Sequence, residues 1–380
     1  MEPNSLTASV LGLVVFSSAA MAAEGPGDVA KEVAKRRGRT ELSKVAASMK
    51  PGTWAEVECK RPEGLMAVVV GQSADGKLRG YHIAGWTDDG HWDSLTGQFL
   101  YLGFRKQLKF IAYTEANNTW RVIPGPFGWD PEKGVPGEGP FKDTRETAFG
   151  HVYGKNAYDP DKGAFYHCIG GHTYRYDLAE NKWTRFTGGS GMSMEFFPGL
   201  GLMAHLDTKK KGMRGGLVIL DEKNEEWKPL ADIPFSPQHA LARYNPYLKE
   251  MLLIAGNDSR SVVKVDAKGN VTPLKDLPFD MTIRHGKLVV DPISGRYLMF
   301  PNINELYEFD SVKNEYREVE GYKGPPWAPY EMPVPAAIPE YGVIMWIDKK
   351  MRLYKHNAPP FGTDEARGAL GSDLKGVLPQ

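Results

Sequence analysis

One short hairpin pattern recurs along the chain, and its spacing limits the fold more than any other feature. "YRYDLAENKW" closes on Trp183, "VILDEKNEEW" on Trp227, "VKVDAKGNV" on Val271 and "YEFDSVKNEY" on Tyr316, with a looser copy, "YTEANNTW", closing on Trp120. From Trp183 onward the closures are 44, 44 and 45 residues apart. Upstream of each lies a second shared pattern: "WDSLTGQFLYLG" from Trp92, "YDPDKGAFYHCIGG" from Tyr158, "YNPYLKEMLLIAG" from Tyr244 and "VDPISGRYLMFP" from Val290. Two looser copies are "FFPGLGLMAHLD" from Phe196 and "IPEYGVIMWID" from Ile338.

Each unit reads as four short strands. An inner strand ends at a Tyr-Asp/Asn-Pro turn, whose side-chain oxygen and fixed proline φ suit a tight reversal. A very apolar second strand, a third strand, a polar turn and a closing aromatic strand follow. Four-stranded antiparallel units of this length are β-propeller blades. The last unit stops after "MRLYKHN" (351–357) without a closing strand, whereas "GTWAEVECKRPEG" carries Trp54 with nothing before it. The expected fold is therefore all-β, a six-bladed propeller closed by its N-terminal strand, which removes an open sheet edge. A seventh blade would follow if "LMAVVVGQSADGKLRGYHI" (65–83) formed its own unit rather than inner strands of the first.

The units resemble kelch repeats of the galactose-oxidase-like propeller superfamily over roughly residues 54–357. "HALARYNPYLKEMLLIAGND" and "HCIGGHTYRYDLAENKW" carry the likeness, including Gly170–Gly171 and the Tyr176-to-Trp183 spacing. The resemblance implies that the loop leading into each inner strand and the loop between strands two and three share one face around the central channel. A copper–tyrosyl activity is not carried over, because no ligand set for it is present.

The flanks give the remaining divisions. "LTASVLGLVVFSSAAMAAEG" has a short apolar run and an Ala20-Met21-Ala22 site, which predicts a signal peptide over 1–22 and an exported, periplasmic or extracellular protein, although "MEPNS" lacks the usual basic residue. A surface helical segment is expected over 23–50, the propeller over 51–357 and a tail over 358–380. The 47 basic and 47 acidic side chains give no reason to expect nucleic acid. No integral membrane segment is expected in the mature chain. Cys59 and Cys168 are too few for a disulfide framework, and whether they pair is left open.

On the face that the resemblance implies, His151, His239, His285, Glu195 and Glu331 lead into successive inner strands. Arg105 and Arg260 add charge from loops between strands two and three, with Lys209–Lys211, Arg214 and Lys349–Lys350. Asn257 and Asn302 add amides there, and His172 lies beside the double glycine. His82, Trp86, His91 and Trp327 are candidate aromatic platforms. The first functional expectation is an acidic carbohydrate or other small ligand bound at this mouth by Glu195, Glu331, Arg105, His172, Arg260, Asn257 and Asn302.

The alternative is a polysaccharide lyase acting by β-elimination. It would use His151, His239 or His285 as base or acid, Tyr153 or Tyr244 as acid, and Arg243 or Arg284 to neutralise a uronate. Strand alternation puts Arg243 and Tyr244 on opposite faces, so at most one is expected to look into the channel. A protein-interaction scaffold is the third reading. No cofactor is expected, with a metal at the histidines kept only as an alternative. G-x-S-x-G, H-E-x-x-H and P-loop signatures are absent from the sequence. The Gly/Pro-rich stretch 122–141 is long enough to be expected to shape a pocket.

Overall fold

The structure is a computed structural model. It describes residues 26–72, 78–84, 90–103, 108–128, 139–141, 153–187, 191–206, 215–256, 259–281, 283, 286–325 and 333–362. The predicted signal peptide lies outside these residues.

Six antiparallel sheets of four strands form the blades of a propeller. Blade one comprises His91–Asp93, Gln98–Gly103, Lys109–Thr114 and Thr119–Ile123. Blade two comprises Asn156–Asp159, Ala164–Ile169, His172–Asp177 and Lys182–Thr187. Blade three comprises Met192–Phe197, Gly201–Leu206, Gly215–Asp221 and Glu226–Ile233. Blade four runs through Leu241–Asn245, Glu250–Ile254, Val262–Asp266 and Val271–Pro273, and blade five through Lys287–Val290, Tyr297–Asn302, Glu305–Asp310 and Glu315–Glu318. Blade six takes Val334–Ile338, Val343–Ile347 and Met351–Lys355 from the end of the chain and Thr53–Val57 from its beginning. The closing register pairs Thr53 with Lys355 and Val57 with Met351.

The recurrent hairpins have local causes. Trp54, Trp120, Trp183, Trp227, Val271 and Tyr316 all stand in the outermost strands. Asn118, Asn181 and Asn314 precede three of these strands at φ 54°, 52° and 58°, left-handed backbone that asparagine tolerates better than most residues. At the other turn, Asp159 Oδ1 accepts from Asp161 N at 2.9 Å, Asn245 Oδ1 from Tyr247 N at 3.0 Å and Asp291 Oδ2 from Ser294 N at 2.9 Å. These side-chain caps close the reversal that the Tyr-Asp/Asn-Pro pattern predicts.

The core is divided into six apolar slabs, one between each pair of neighbouring blades. Blades six and one share Phe99, Ile111, Met345 and Leu353, and blades one and two share Leu100, Phe110, Phe165 and Trp183. Continuing round the ring, Tyr166 meets Leu202, Met203 meets Met251, Leu252 meets Tyr297, and Phe300 meets Trp346. A blade alone would expose both faces, so each stabilises the next.

The segment Ala67–Gln72 and Leu78–His82 forms neither a seventh blade nor inner strands of the first. It is a separate two-stranded hairpin. Lys109 Nζ donates to the carbonyls of Gly64 and Ala67 at 2.7 and 2.9 Å, and Tyr101 OH to that of Ile83 at 2.7 Å. These bonds tie both ends of the hairpin to blade one.

Before the closing strand come two helices, α1 (Pro26–Arg36) and α2 (Glu41–Ser48). Thr40 caps α2, its Oγ1 accepting from Ser43 N at 3.2 Å. The described helices include none long and apolar enough to cross a membrane. Cys59 and Cys168 are both free thiols, and Cys168 is buried.

Candidate functional site

All six inner strands border one cavity of about 390 Å³ on the propeller axis. It occupies the end of the channel where inner strands turn into second strands, and Pro160, Pro198, Pro246, Pro292 and Pro339 of those turns rim it. Trp92, Tyr158, Phe196, Tyr244 and Tyr247 supply aromatic surface, while Val289, Val290 and Ala336 make plain apolar wall. The polar groups are few: His91, Asp93, Ser94, Glu195 and Arg243. Such a volume, with aromatic walls and sparse polar groups, suits a small-molecule site.

Several of the polar groups are tied to one another or to the backbone. Arg243 Nη1 lies 3.3 Å from Glu195 Oε2 of blade three, and its Nε donates to the Leu288 carbonyl of blade five at 3.2 Å. The guanidinium thus bridges across blade four. Asp93 accepts from the amides of Leu95 and Thr96, both at 3.1 Å, which fixes the first turn. Burial, with Asp93 beside it, pushes the Tyr158 phenol well above the usual range. Burial also raises Tyr244, so both rings present neutral hydroxyls at ordinary pH. The His91 ring meets Phe165 edge-on at 5.7 Å.

Arg243 and Tyr244 both line the cavity, against the expectation that only one would. A propeller's inner strand presents its edge, not a face, to the axis, so side chains from either face can border the channel. Tyr244 leans on Phe197 of blade three, rings 4.7 Å apart, while Arg243 reaches blade five.

The other candidates are dispersed. Glu195 is in the cavity, buried and paired with Arg243. Tyr153 and His239 meet edge-to-face at 5.6 Å, before the inner strands of blades two and four, and neither lines the cavity. His239 holds a left-handed backbone at φ 61°. Ser193 Oγ donates to the Ala240 carbonyl at 2.8 Å and Met194 N to that of Gly154 at 2.8 Å, so the described entries of blades two, three and four are tied to one another. His172 begins the third strand of blade two, half-buried, its ring 6.2 Å from Tyr174. Arg260 is exposed and paired with Asp280 at 2.9 Å, and Asn302 caps its own turn by accepting from Asn304 N. His151, His285, Arg284, Glu331, Arg105 and Asn257 lie outside the described residues, as do Trp86, Trp327, Lys209–Lys211 and Arg214.

The described ends of the 122–141 stretch pack elsewhere. Phe127 and Phe141 rest on Tyr174 at 5.3 and 5.5 Å, and neither borders the cavity. Among the described residues no three His, Cys, Asp or Glu side chains gather as a metal site would need. Asp93, Trp92 and Tyr158 belong to the recurrent turn motif. They were missed as site residues because that motif reads as structural, and the signal available was the convergence of six such turns on one axis.

No protein-family profile matches the chain, and no curated protein matches it in sequence. Among solved structures, a chain described as "Crystal Structure of Mitotic Checkpoint Complex" aligns at 10% identity with a TM-score of 0.46, covering 93% of this chain and 100% of its own.

Proposed function

We propose that this chain is a kelch-type propeller that binds a carbohydrate in its axial cavity. The observation that carries the reading is the composition of the cavity wall. Aromatic surface from blades one to four surrounds a space sized for one or two sugar rings, with Arg243, Glu195 and Asp93 within it. Aromatic faces stack on the C–H face of a sugar ring, while charged and amide groups bond its hydroxyls.

The charge pattern favours a neutral sugar over an acidic one. Two carboxylates, Asp93 and Glu195, face one guanidinium, and that guanidinium is already engaged. A lyase has less support, because the described histidine candidate, His239, stands away from the cavity.

The test is calorimetric titration of the purified chain with a panel of neutral and uronate-containing oligosaccharides, following the ultraviolet absorbance of unsaturated uronate in parallel. A neutral sugar is expected to bind, and Tyr244→Ala to weaken it about tenfold, as loss of one stacking ring does. Binding by no member of the panel would overturn the reading. A rise in absorbance with a uronate polymer would replace it with the lyase.

A further inference from the structure

We infer that helix α1 is a lid on the axial cavity and that Arg36 is the positioning residue that holds it shut. The inference takes its meaning from the proposed ligand site, but its test needs no ligand.

The helix docks by one face. Val29 borders the cavity, Val33 is buried, and Arg36 follows one turn later, so the three residues share the stripe that faces the propeller. Lys31, Ala34 and Lys35 are exposed. An 11-residue helix is marginal in water, and this one therefore depends on its anchor.

That anchor is unusually complete. Arg36 is 7% exposed. Its Nε pairs with Glu115 Oε2 at 2.9 Å, its Nη1 donates to the Leu95 carbonyl at 2.9 Å, and its Nη2 donates to the Ser94 carbonyl and lies 3.6 Å from Glu340 Oε1. Ser94 and Leu95 themselves border the cavity. Glu340 is held in turn by Trp92 Nε1 at 2.8 Å and Ser94 Oγ at 2.9 Å, and Tyr341 OH donates to Glu115 at 2.7 Å. One guanidinium thus clamps the helix to the turns of blades one and six and to the cavity rim together. Gly97 makes room for it: at φ 65°, an added Cβ would sit 2.7 Å from Arg36 Nε.

Around the rest of the mouth no second described helix intervenes, and the turns of blades two to five stand at the rim with their prolines. A ligand entering beside blades one and six meets α1 first. Releasing Arg36 swings that wall outward and leaves the propeller's own sheets untouched.

The experiment places a thiol in the cavity with Ala336→Cys, in a Cys59→Ser background, and follows its reaction with dithiobis(nitrobenzoate). Adding Arg36→Ala is expected to raise the labelling rate about tenfold or more, the scale on which loss of one partner of a buried ion pair promotes local opening. Arg36→Lys, which keeps the charge but not the fork, should fall between the two. Arg39→Ala, exposed and one turn away, should leave the rate unchanged. Amide exchange without the added cysteine supplies the second readout. Arg36→Ala should speed exchange over residues 27–36 and leave the blades protected.

Equal labelling with and without Arg36, or unchanged exchange in α1, would overturn the lid. Faster labelling in a chain that binds no sugar would uphold the lid and remove only the ligand class.

Discussion

Glu308 shows how much a single side chain can hold in this ring. It is 2% exposed, accepts from His356 Nε2 and Arg317 Nη2, both at 2.7 Å, and also pairs with Arg296. It thereby links blade five to the residue that follows the last strand of blade six. Burial alone would raise its carboxyl, but the His356 contact and the two guanidiniums outweigh burial and hold it at about 2. Because the folded value is depressed, the stability it contributes is complete above the unfolded value of about 4.3 and is lost as pH falls from there towards about 2. Glu308→Gln is expected to cost about 2 kcal/mol at neutral pH, since it takes the charged acceptor away from the buried His356 and the partly buried Arg296. It should also flatten the acid limb of stability. Urea unfolding at a series of pH values measures both.

At the scale of elements, much was legible because the same physics recurs. The closing aromatics, the asparagine turns and the Asp/Asn-Pro reversals each mark a strand end by a local cause, so counting them gives the blades. The hairpin at 67–82 was not legible in this way: its apolar run looks like any second strand, and only Lys109 and Tyr101 show where it docks. Nor did α1 reveal its role, since Arg36 stands among Lys35, Arg37 and Arg39 and reads as solvated charge.

The closing strand Thr53–Val57 invites a direct test. Trp54 donates to the Lys323 carbonyl at 3.0 Å and packs on Tyr354 and Trp346 at 4.8 and 5.8 Å. Trp54→Ala should destabilise the chain by about 3 kcal/mol. A chain beginning after Val57 should expose the Met351–Lys355 edge and self-associate. Size-exclusion chromatography of the two variants separates a weakened ring from an open one.

For the whole molecule, the instructive feature is where along the axis the described cavity lies. The resemblance placed function where chain segments lead into the inner strands, and Tyr153, Ser193 and His239 interlock there. The cavity lies where those strands turn into second strands, lined partly by Glu195, Arg243 and Tyr244 and partly by Trp92, Asp93 and Tyr158, whose motif looked architectural. That difference arises from packing across blades, which no single repeat records. With formal charge balanced over the molecule and no charge on a neutral sugar to be screened, binding is expected to change less than about twofold between low and moderate salt. Titration at several ionic strengths checks this, and a steep fall would indicate an acidic ligand.

The pairing of Thr53 with Lys355 also sets a schedule. The two residues are 302 positions apart, so at about 5–20 residues per second the first strand leaves the ribosome roughly 15–60 s before its partner exists. During that interval blades one to five can stack in order of synthesis, but the ring has no sixth member to complete. An early strand that carries Trp54 must be kept from pairing with any other free edge while it waits. Arrest of translation before Met351 would leave a C-shaped stack of finished blades with the latch still unfastened.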